Sequence, residues 1–293
     1  MFNYIKKIKS LFKKISSFDQ KLLRIQEALG RIEMRQNDGR IPLSIGEQEF
    51  RVFSQWGEDG IIQFLLSNVK IENDLFVEFG VENYLESNTR FLMINNNWSG
   101  LVIDGNPDNV AYIKSDPIYW RHNLKADCAF ITKENINDLL KKNGVVGDIG
   151  ILSIDIDGND YWIWDAIDVV SPAIVIIEYN ARFGMDMSVT VPYDRDFVRS
   201  QKHHSMIYFG ASIRALCGLA EEKGYAFVGC GSAGVNAFFV RRDLMVKEIK
   251  ELTVEEGYVR NKFRESRNQD GQLIYLSQED EYKLLTSLPL DTI

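Results

Sequence analysis

Residues 148–180 read DIGILSIDIDGNDYWIWDAIDVVSPAIVIIEYN, and this stretch decides the fold. Two short apolar runs, 149–156 and 173–177, are rich in Ile and Val and bounded by Gly, Pro and Asp. Runs of that length and composition read as strands buried on both faces, the kind found in parallel sheets covered by helices. Between them, residues 159–169 show a helical apolar period that stops at Ser171-Pro172, because the residue before a proline is pushed out of the helical region. One strand–helix–strand unit results, with polar groups clustered where both strands end. In open α/β sheets ligands bind beyond the carboxyl ends of the strands, so this unit is expected to hold the centre of a site.

Working outward, the 293 residues suffice for one large α/β domain with extensions. The composition, 45% hydrophobic and 26% charged, is that of an ordinary globular chain. No apolar run approaches the ~20 residues a membrane-spanning helix needs. No signal peptide is visible, and Cys128, Cys217 and Cys230 form neither a metal spacing nor a disulfide framework. A cytoplasmic setting is the expectation. The net charge of −8 argues against nucleic acid as a partner. Charge is unevenly placed: residues 1–14 hold five lysines and no acid, leaving −13 on the rest.

The N-terminal stretch reads as one amphipathic helix over 1–38. From Ile15, apolar residues recur as Phe18, Leu22, Ile25, Leu29 and Ile32 in steps of three and four, a heptad-like stripe. Upstream, Phe2, Ile5, Ile8, Phe12 and Ile15 form an apolar face opposite the lysines. Such a helix packs on its own domain, on a second copy in a homo-oligomer, or, as a basic amphipathic helix, peripherally on an anionic membrane surface. Asn37-Asp38-Gly39 marks the boundary with a globular domain over 39–245, and 246–293 is expected to be a helical tail.

Within the domain, Ser54–Gly60 (SQWGEDG) precedes a helix, with Ser54 or Asp59 as its cap and Trp56 as a packing anchor or ligand contact. A strand, 75–79, then turns through Gly80 toward a helix at 90–95, the opening of a doubly wound fold. Glu82 and Tyr84 stand where further glycines would let backbone approach a pyrophosphate, which argues against a dinucleotide. A second strand ends in Asp104, 24 positions after Gly80, with Gly105 beside it; an acid there commonly takes ribose hydroxyls. Asp127, near the end of a third strand, is either a surface residue or within reach of an adenine amino group. After the central unit comes a polar, aromatic loop, 181–205, carrying His203 and His204. A helix over 206–222 and a hairpin of strands at 225–230 and 236–241 close the domain. Arg260, Lys262, Arg264 and Arg267 in the tail form a solvated face or a phosphate site.

Together the stretches Ser54–Gly60, Phe76–Arg90, Leu101–Asn106, Leu152–Trp164, Val175–Asn180, Tyr208–Leu216 and Gly234–Arg241 resemble bacterial S-adenosylmethionine-dependent methyltransferases related to the FkbM-type sugar O-methyltransferases. The run Ser153–Gly158 (SIDIDG) is the most specific of them, and the loop after Gly80 departs from the fold's usual glycines. The resemblance implies a Rossmann-like class I methyltransferase sheet of seven strands with helices on both faces. It also implies S-adenosylmethionine as cofactor and a sugar or nucleotide-activated sugar of a surface glycan as acceptor. On that reading Glu78, Gly80 and the Ser87-Asn88-Thr89 edge hold the methionine part, Asp104 with Gly105 the ribose, and Asp127 lies near adenine.

Methyl transfer to an alcohol needs the acceptor oxygen in line with the sulfonium methyl and relieved of its proton. A divalent cation on the hydroxyl would lower its pKa. Asp155 and Asp157 point to one face if both are extended, and so do Glu178 and Asn180 on the next strand. Those four oxygen donors suit Mg²⁺ or Mn²⁺. The alternative is that Asp155 faces the cofactor's positive charge while Glu178 and Asn180 hold loops. His203 and His204 are separate candidates for the base. Three rival functions stay open: methylation of a phosphate-type glycan modification, an NAD(P)-linked oxidoreductase on a similar sheet, and a non-catalytic binding partner.

Overall fold

The computed structural model describes the backbone of residues 2–293 and the side chains of Phe18 and residues 20–293. The upstream apolar face of Phe2, Ile5, Ile8, Phe12 and Ile15, with its lysines, therefore lies outside the described side chains.

The chain opens on α1 (Phe2–Asn37) and α2 (Glu58–Asn68), then alternates: β1 (Leu75–Phe79), α3 (Arg90–Asn96), β2 (Ser99–Asp104), α4 (Pro107–Ser115), α5 (Pro117–Arg121), β3 (Leu124–Cys128), α6 (Ile136–Lys142), β4 (Gly147–Ile154), α7 (Asp160–Ala166) and β5 (Val170–Glu178). After β5 come β6 (Val189–Thr190), a single turn α8 (Arg199–Lys202), α9 (Ile213–Glu222), β7 (Tyr225–Cys230) and β8 (Asn236–Arg241). The tail holds α10 (Val254–Gly257), α11 (Gln278–Thr286) and β9 (Asp291–Thr292).

Seven strands form one sheet in the order β3-β2-β1-β4-β5-β8-β7, and β6 pairs separately with β9. All neighbours from β3 to β5 are parallel, while β8 runs antiparallel to both β5 and β7. The order reverses between β1 and β4, and such a switch point opens a crevice at the carboxyl ends of the strands. This is the class I methyltransferase arrangement implied above. Residues alternate between the two faces as a strand requires. Val77, Leu101, Ile103, Val175, Ile177 and Phe239 join a core under α6, α7 and α9, while Phe76, Val102, Ile151, Ile174, Ile176 and Phe238 face α2, α4 and α5.

Several boundaries differ from the sequence expectation. Helix α7 ends at Ala166, and β5 begins at Val170 with Pro172 inside it. The helix expected over 206–222 begins only at Ile213. Upstream of it, the Asn180 amide donates to the carbonyls of Ile207 and Phe209 and holds that segment out of a helix. The tail is not a helical extension: between α10 and α11 it runs irregularly back over the strand ends. Helix α1 rests on the domain through Leu23 and Met34, beside Phe50, Val52, Phe53 and Phe91. Gly30 makes that approach possible, since a Cβ there would sit 2.3 Å from Val52 Cγ2. Among the described residues, no helix is long and apolar enough to cross a membrane, and the three cysteines are free.

Candidate active site

At the carboxyl ends of β1, β4 and β5 lies a cleft of about 350 Å³. Its walls carry seven carboxylates (Glu78, Glu82, Glu86, Asp155, Asp157, Glu178 and Glu265) against one cation, Arg199.

The β1 side is built around Gly80. Its φ is +69°, and a Cβ there would lie 1.6 Å from the Asp155 carbonyl oxygen. The glycine thus serves the crossing of two chain segments at the switch point, where any side chain would collide with backbone. Its N–H donates to the Ile103 carbonyl, tying β1 to β2. Glu82 and Tyr84 follow at φ +47° and +63°. The loop therefore keeps a left-handed path at these two positions without glycine, at a cost of about 1–2 kcal/mol each. Tyr84 helps hold it there, buried, with its hydroxyl on Thr89 and its carbonyl accepting from Arg90.

Glu78 does not present a free carboxylate to a ligand. Its oxygens accept from the N–H groups of Asn88 and Thr89 and from the Thr89 hydroxyl, fixing the Ser87–Thr89 edge at the start of α3. Burial outweighs these bonds and raises its pKa to about 7. The Asn88 amide reaches across to Ser153 of β4. Glu78 shapes the pocket edge, and Ser87 and Asn88 line it.

On the β4 side, the expected extended run through Asp157 is absent. The strand ends at Ile154, Asp157 lies at φ +58°, and the Asp160 carboxylate accepts from Ile156 and Gly158 N–H, curling the segment into α7. A turn, rather than strand alternation, brings Asp155 and Asp157 into the same cleft. Carboxylate oxygens of Asp155, Asp157 and Glu178 all lie within 4.8 Å of one another. Burial first, then the neighbouring acids Asp157 and Asp160, raise the Asp155 pKa well above its ordinary value. Burial and Asp155 do the same to Glu178. Glu178 Oε2 and, on the paired position of β8, Asn236 Oδ1 are buried without hydrogen-bond partners. Three acids therefore crowd together with acceptor atoms unused, an arrangement in which burial and mutual repulsion disfavour full ionisation.

Asn180 is not among those donors. Its amide is spent on the carbonyls of Ile207 and Phe209, and its oxygen accepts from Arg182 N–H, so it clamps the loop after β5. The histidines also lie elsewhere. His203 bonds Ser205 and stacks near His204, and neither lines the cleft. From the same segment it is Arg199 that enters, pairing with Asp157 and Glu265. Burial works against its charge, but Glu178, Glu265 and Asp157 outweigh that and hold the guanidinium ionised.

Asp104 sits at the end of β2 next to Gly80, one oxygen accepting from Asn106 N–H and the Asn109 amide. Gly105 follows, where a Cβ would meet Phe130 Cδ2 at 3.6 Å, an ordinary van der Waals contact. Asp127 is committed to structure, because Lys142, Asn143 and the Cys128 N–H occupy its carboxylate and tie β3 to α6. The tail supplies what sequence reasoning missed. Phe263 stacks on Trp56 at 5.2 Å and 13°, and Glu265 joins Arg199, both lining the cleft. The flanking Lys262 and Arg264 face solvent, so the basic cluster does not reach this site. The only signal was alternation of basic residues with Phe263 and Glu265 in an extended segment. Asp59 proves no helix cap: one oxygen accepts from the N–H groups of Val52, Phe53 and Ser54 and the Ser54 hydroxyl.

No family model matches the chain, and no curated protein matches it. Solved structures that it is similar to include an S-adenosylmethionine-dependent methyltransferase from Clostridium acetobutylicum, 10% identical over 62% of this chain and 89% of that one, with a TM-score of 0.41. Another is the N-terminal domain of EvdMO1 with SAH bound, 13% identical over 72% and 96%, TM-score 0.42. A third is TrmK of M. capricolum in complex with S-adenosyl-homocysteine, 12% identical over 64% and 70%, TM-score 0.38. Likenesses this low assign no function. What the chain itself defines is a doubly wound α/β protein with an acidic cleft at its topological switch point.

Proposed function

We propose that the protein is an S-adenosylmethionine-dependent O-methyltransferase acting on a hydroxyl of a sugar or nucleotide-activated sugar. One observation carries this reading: seven acidic residues, of which Glu78 and Glu86 are already paired within the protein, and one guanidinium line the cleft at the switch point of a β3-β2-β1-β4-β5-β8-β7 sheet. A dinucleotide would bring a pyrophosphate into that negative field, whereas a sulfonium with an ammonium group brings positive charge, so the electrostatics disfavour the oxidoreductase reading.

The left-handed loop after Gly80 and the Ser87–Asn88 edge, held by Glu78, would receive the methionine part, and Asp104 with its free oxygen would take the ribose. When bound, the cofactor supplies an electrophilic methyl group. Asp155, its pKa raised well above the ordinary value by burial and by Asp157 and Asp160, is the residue suited to take the acceptor's proton. Asp155, Asp157 and Glu178 also fit a hard divalent cation, being three carboxylates with an orphaned oxygen among them. Such an ion would lower the pKa of a coordinated hydroxyl. Trp56 and Phe263, lying beside the acids, offer an aromatic face to a sugar ring and carboxylates to its hydroxyls. Arg199 keeps the floor from repelling itself apart.

The test uses cofactor carrying an isotopic methyl and the surface glycans, or their activated precursors, of the source cell. Label that stays on carbohydrate through mild alkali marks an ether and supports the reading. Label lost to alkali, or incorporated only into non-carbohydrate material, contradicts the sugar hydroxyl as acceptor.

A further inference from the structure

Helix α1 carries two stripes. One is docked: Leu23, Glu27, Gly30, Met34 and Asn37 are wholly or partly buried against the domain. The other is the apolar stripe, and it faces away. Phe18, Leu22, Ile25, Leu29 and Ile32 are 62%, 49%, 56%, 56% and 47% exposed. Five large apolar side chains in a row on one helix face are not scattered surface residues.

We infer that this stripe is the seam of a coiled coil between copies of this chain. The spacing is 4-3-4-3, which assigns Leu22 and Leu29 to heptad position a, and Phe18, Ile25 and Ile32 to position d. In the sequence the same steps continue upstream through Ile15, Leu11 and Ile8. Positions 8–32 thus complete more than three heptads, the length at which such a pattern supports a coiled coil. From Phe18 to Ile32 the flanking positions are polar or small, Asp19, Gln26 and Glu33 at e and Lys21, Ala28 and Arg35 at g, whereas upstream Phe12 falls at e. A two-position seam with polar flanks is the coiled-coil pattern; a helix lying on a membrane needs a broader apolar face.

The charges choose an orientation. An antiparallel pair would set Lys21 and Arg35 of g against the same basic g positions of the second copy, while an in-register parallel pair sets each g against the e five residues on, so that Lys21 meets Gln26 and Ala28 meets Glu33 without a like-charge clash. The docked and free stripes are also rotated from one another, Leu22 next to Leu23 and Leu29 next to Gly30. A second helix can therefore reach the seam without displacing the domain that Val52 and Phe91 hold against Gly30.

The test is the mass of the full-length protein in solution by sedimentation, for the wild type and for a variant with Ile25→Lys and Leu29→Lys. Both positions are more than half exposed, so the domain should melt at the wild-type temperature. The expected result is a wild type of two or more chains at micromolar concentration and a variant of one chain, with Leu29→Ile retaining the assembly. A wild type with the mass of one chain overturns the inference, and so does an assembly that survives the double lysine variant. A single-chain wild type that floats with vesicles of anionic lipid, and a lysine variant that does not, overturns it in favour of a membrane surface.

Discussion

Replacing Gly80 by alanine separates a steric account of the cleft from one in which the glycine merely makes room for ligand. The added methyl would meet the Asp155 carbonyl oxygen at 1.6 Å, where contacts below 3.0 Å are essentially never seen. Relief requires that the end of β4 move by well over an ångström, carrying Asp155 with it. The left-handed φ of +69° adds about 1–2 kcal/mol for any residue with a Cβ. With the backbone shift included, the total is expected to be at least about 3 kcal/mol, or a fall of roughly 6–12 °C in Tm for a domain of this size. Gly105→Ala is the internal control. Its Cβ has 3.6 Å to the nearest side chain, so the melt should stay within about 0.5 kcal/mol of wild type. Thermal unfolding followed by circular dichroism, with titration of S-adenosylhomocysteine alongside, reads both effects. Gly80→Ala should lose stability and ligand together, while Gly105→Ala keeps its stability. A Gly80→Ala protein that melts within 2 °C of wild type and binds ligand normally would refute the close crossing of β1 and β4.

Further outcomes follow from the same geometry. Arg199→Ala leaves Asp157, Glu178 and Glu265 facing one another, and is expected to cost roughly 1.5–3 kcal/mol of stability, read by denaturant unfolding. His203→Ala and His204→Ala should leave turnover within about twofold of wild type, and a large loss would return the base to them. Asp59, Asp160 and Glu78 have folded pKa values raised to about 6, 6 and 7 by burial. Each binds its proton more tightly folded than unfolded, so its stabilising contribution is full below about pH 4 and is lost as pH rises through 6 to 7. Tm should therefore fall between pH 5 and pH 8, and Glu78→Gln should flatten that slope by up to about 3 kcal/mol. Mn²⁺ titrated calorimetrically into cofactor-free protein should bind, and Asp157→Asn should weaken it at least tenfold; absence of heat and binding would remove the metal from the account.

Much of the fold was legible because its signals are local. The Ile- and Val-rich runs bounded by Gly, Pro and Asp mark β4 and β5, and the alternation of strand and helix marks the parallel sheet. The convergence of Asp155, Asp157 and Glu178 was legible too, although the expected route was wrong. Strand alternation was assumed where an Asp160-centred turn does the work, and the sequence does not announce which acid will capture backbone N–H groups. Asn180 looked like a ligand because its strand-end position was right. Its role as a clamp depends on two carbonyls some thirty residues away. Arg199, Phe263 and Glu265 reach the cleft from the loop after β6 and from a tail more than eighty residues beyond β5, and contacts at such separations leave no periodicity to read. For α1 the apolar stripe was legible. Only the structure shows that the domain holds the adjacent face, through Leu23, Gly30 and Met34.

The central claim is that an acidic cleft at the switch point receives a positively charged methyl donor. Isothermal titration of the purified protein with S-adenosylhomocysteine, S-adenosylmethionine and NADH tests it most directly. Saturable binding of the first two, weakened at least tenfold by Asp155→Asn, with no heat from NADH, is the predicted result. Tight binding of NADH with neither adenosyl ligand bound would contradict it.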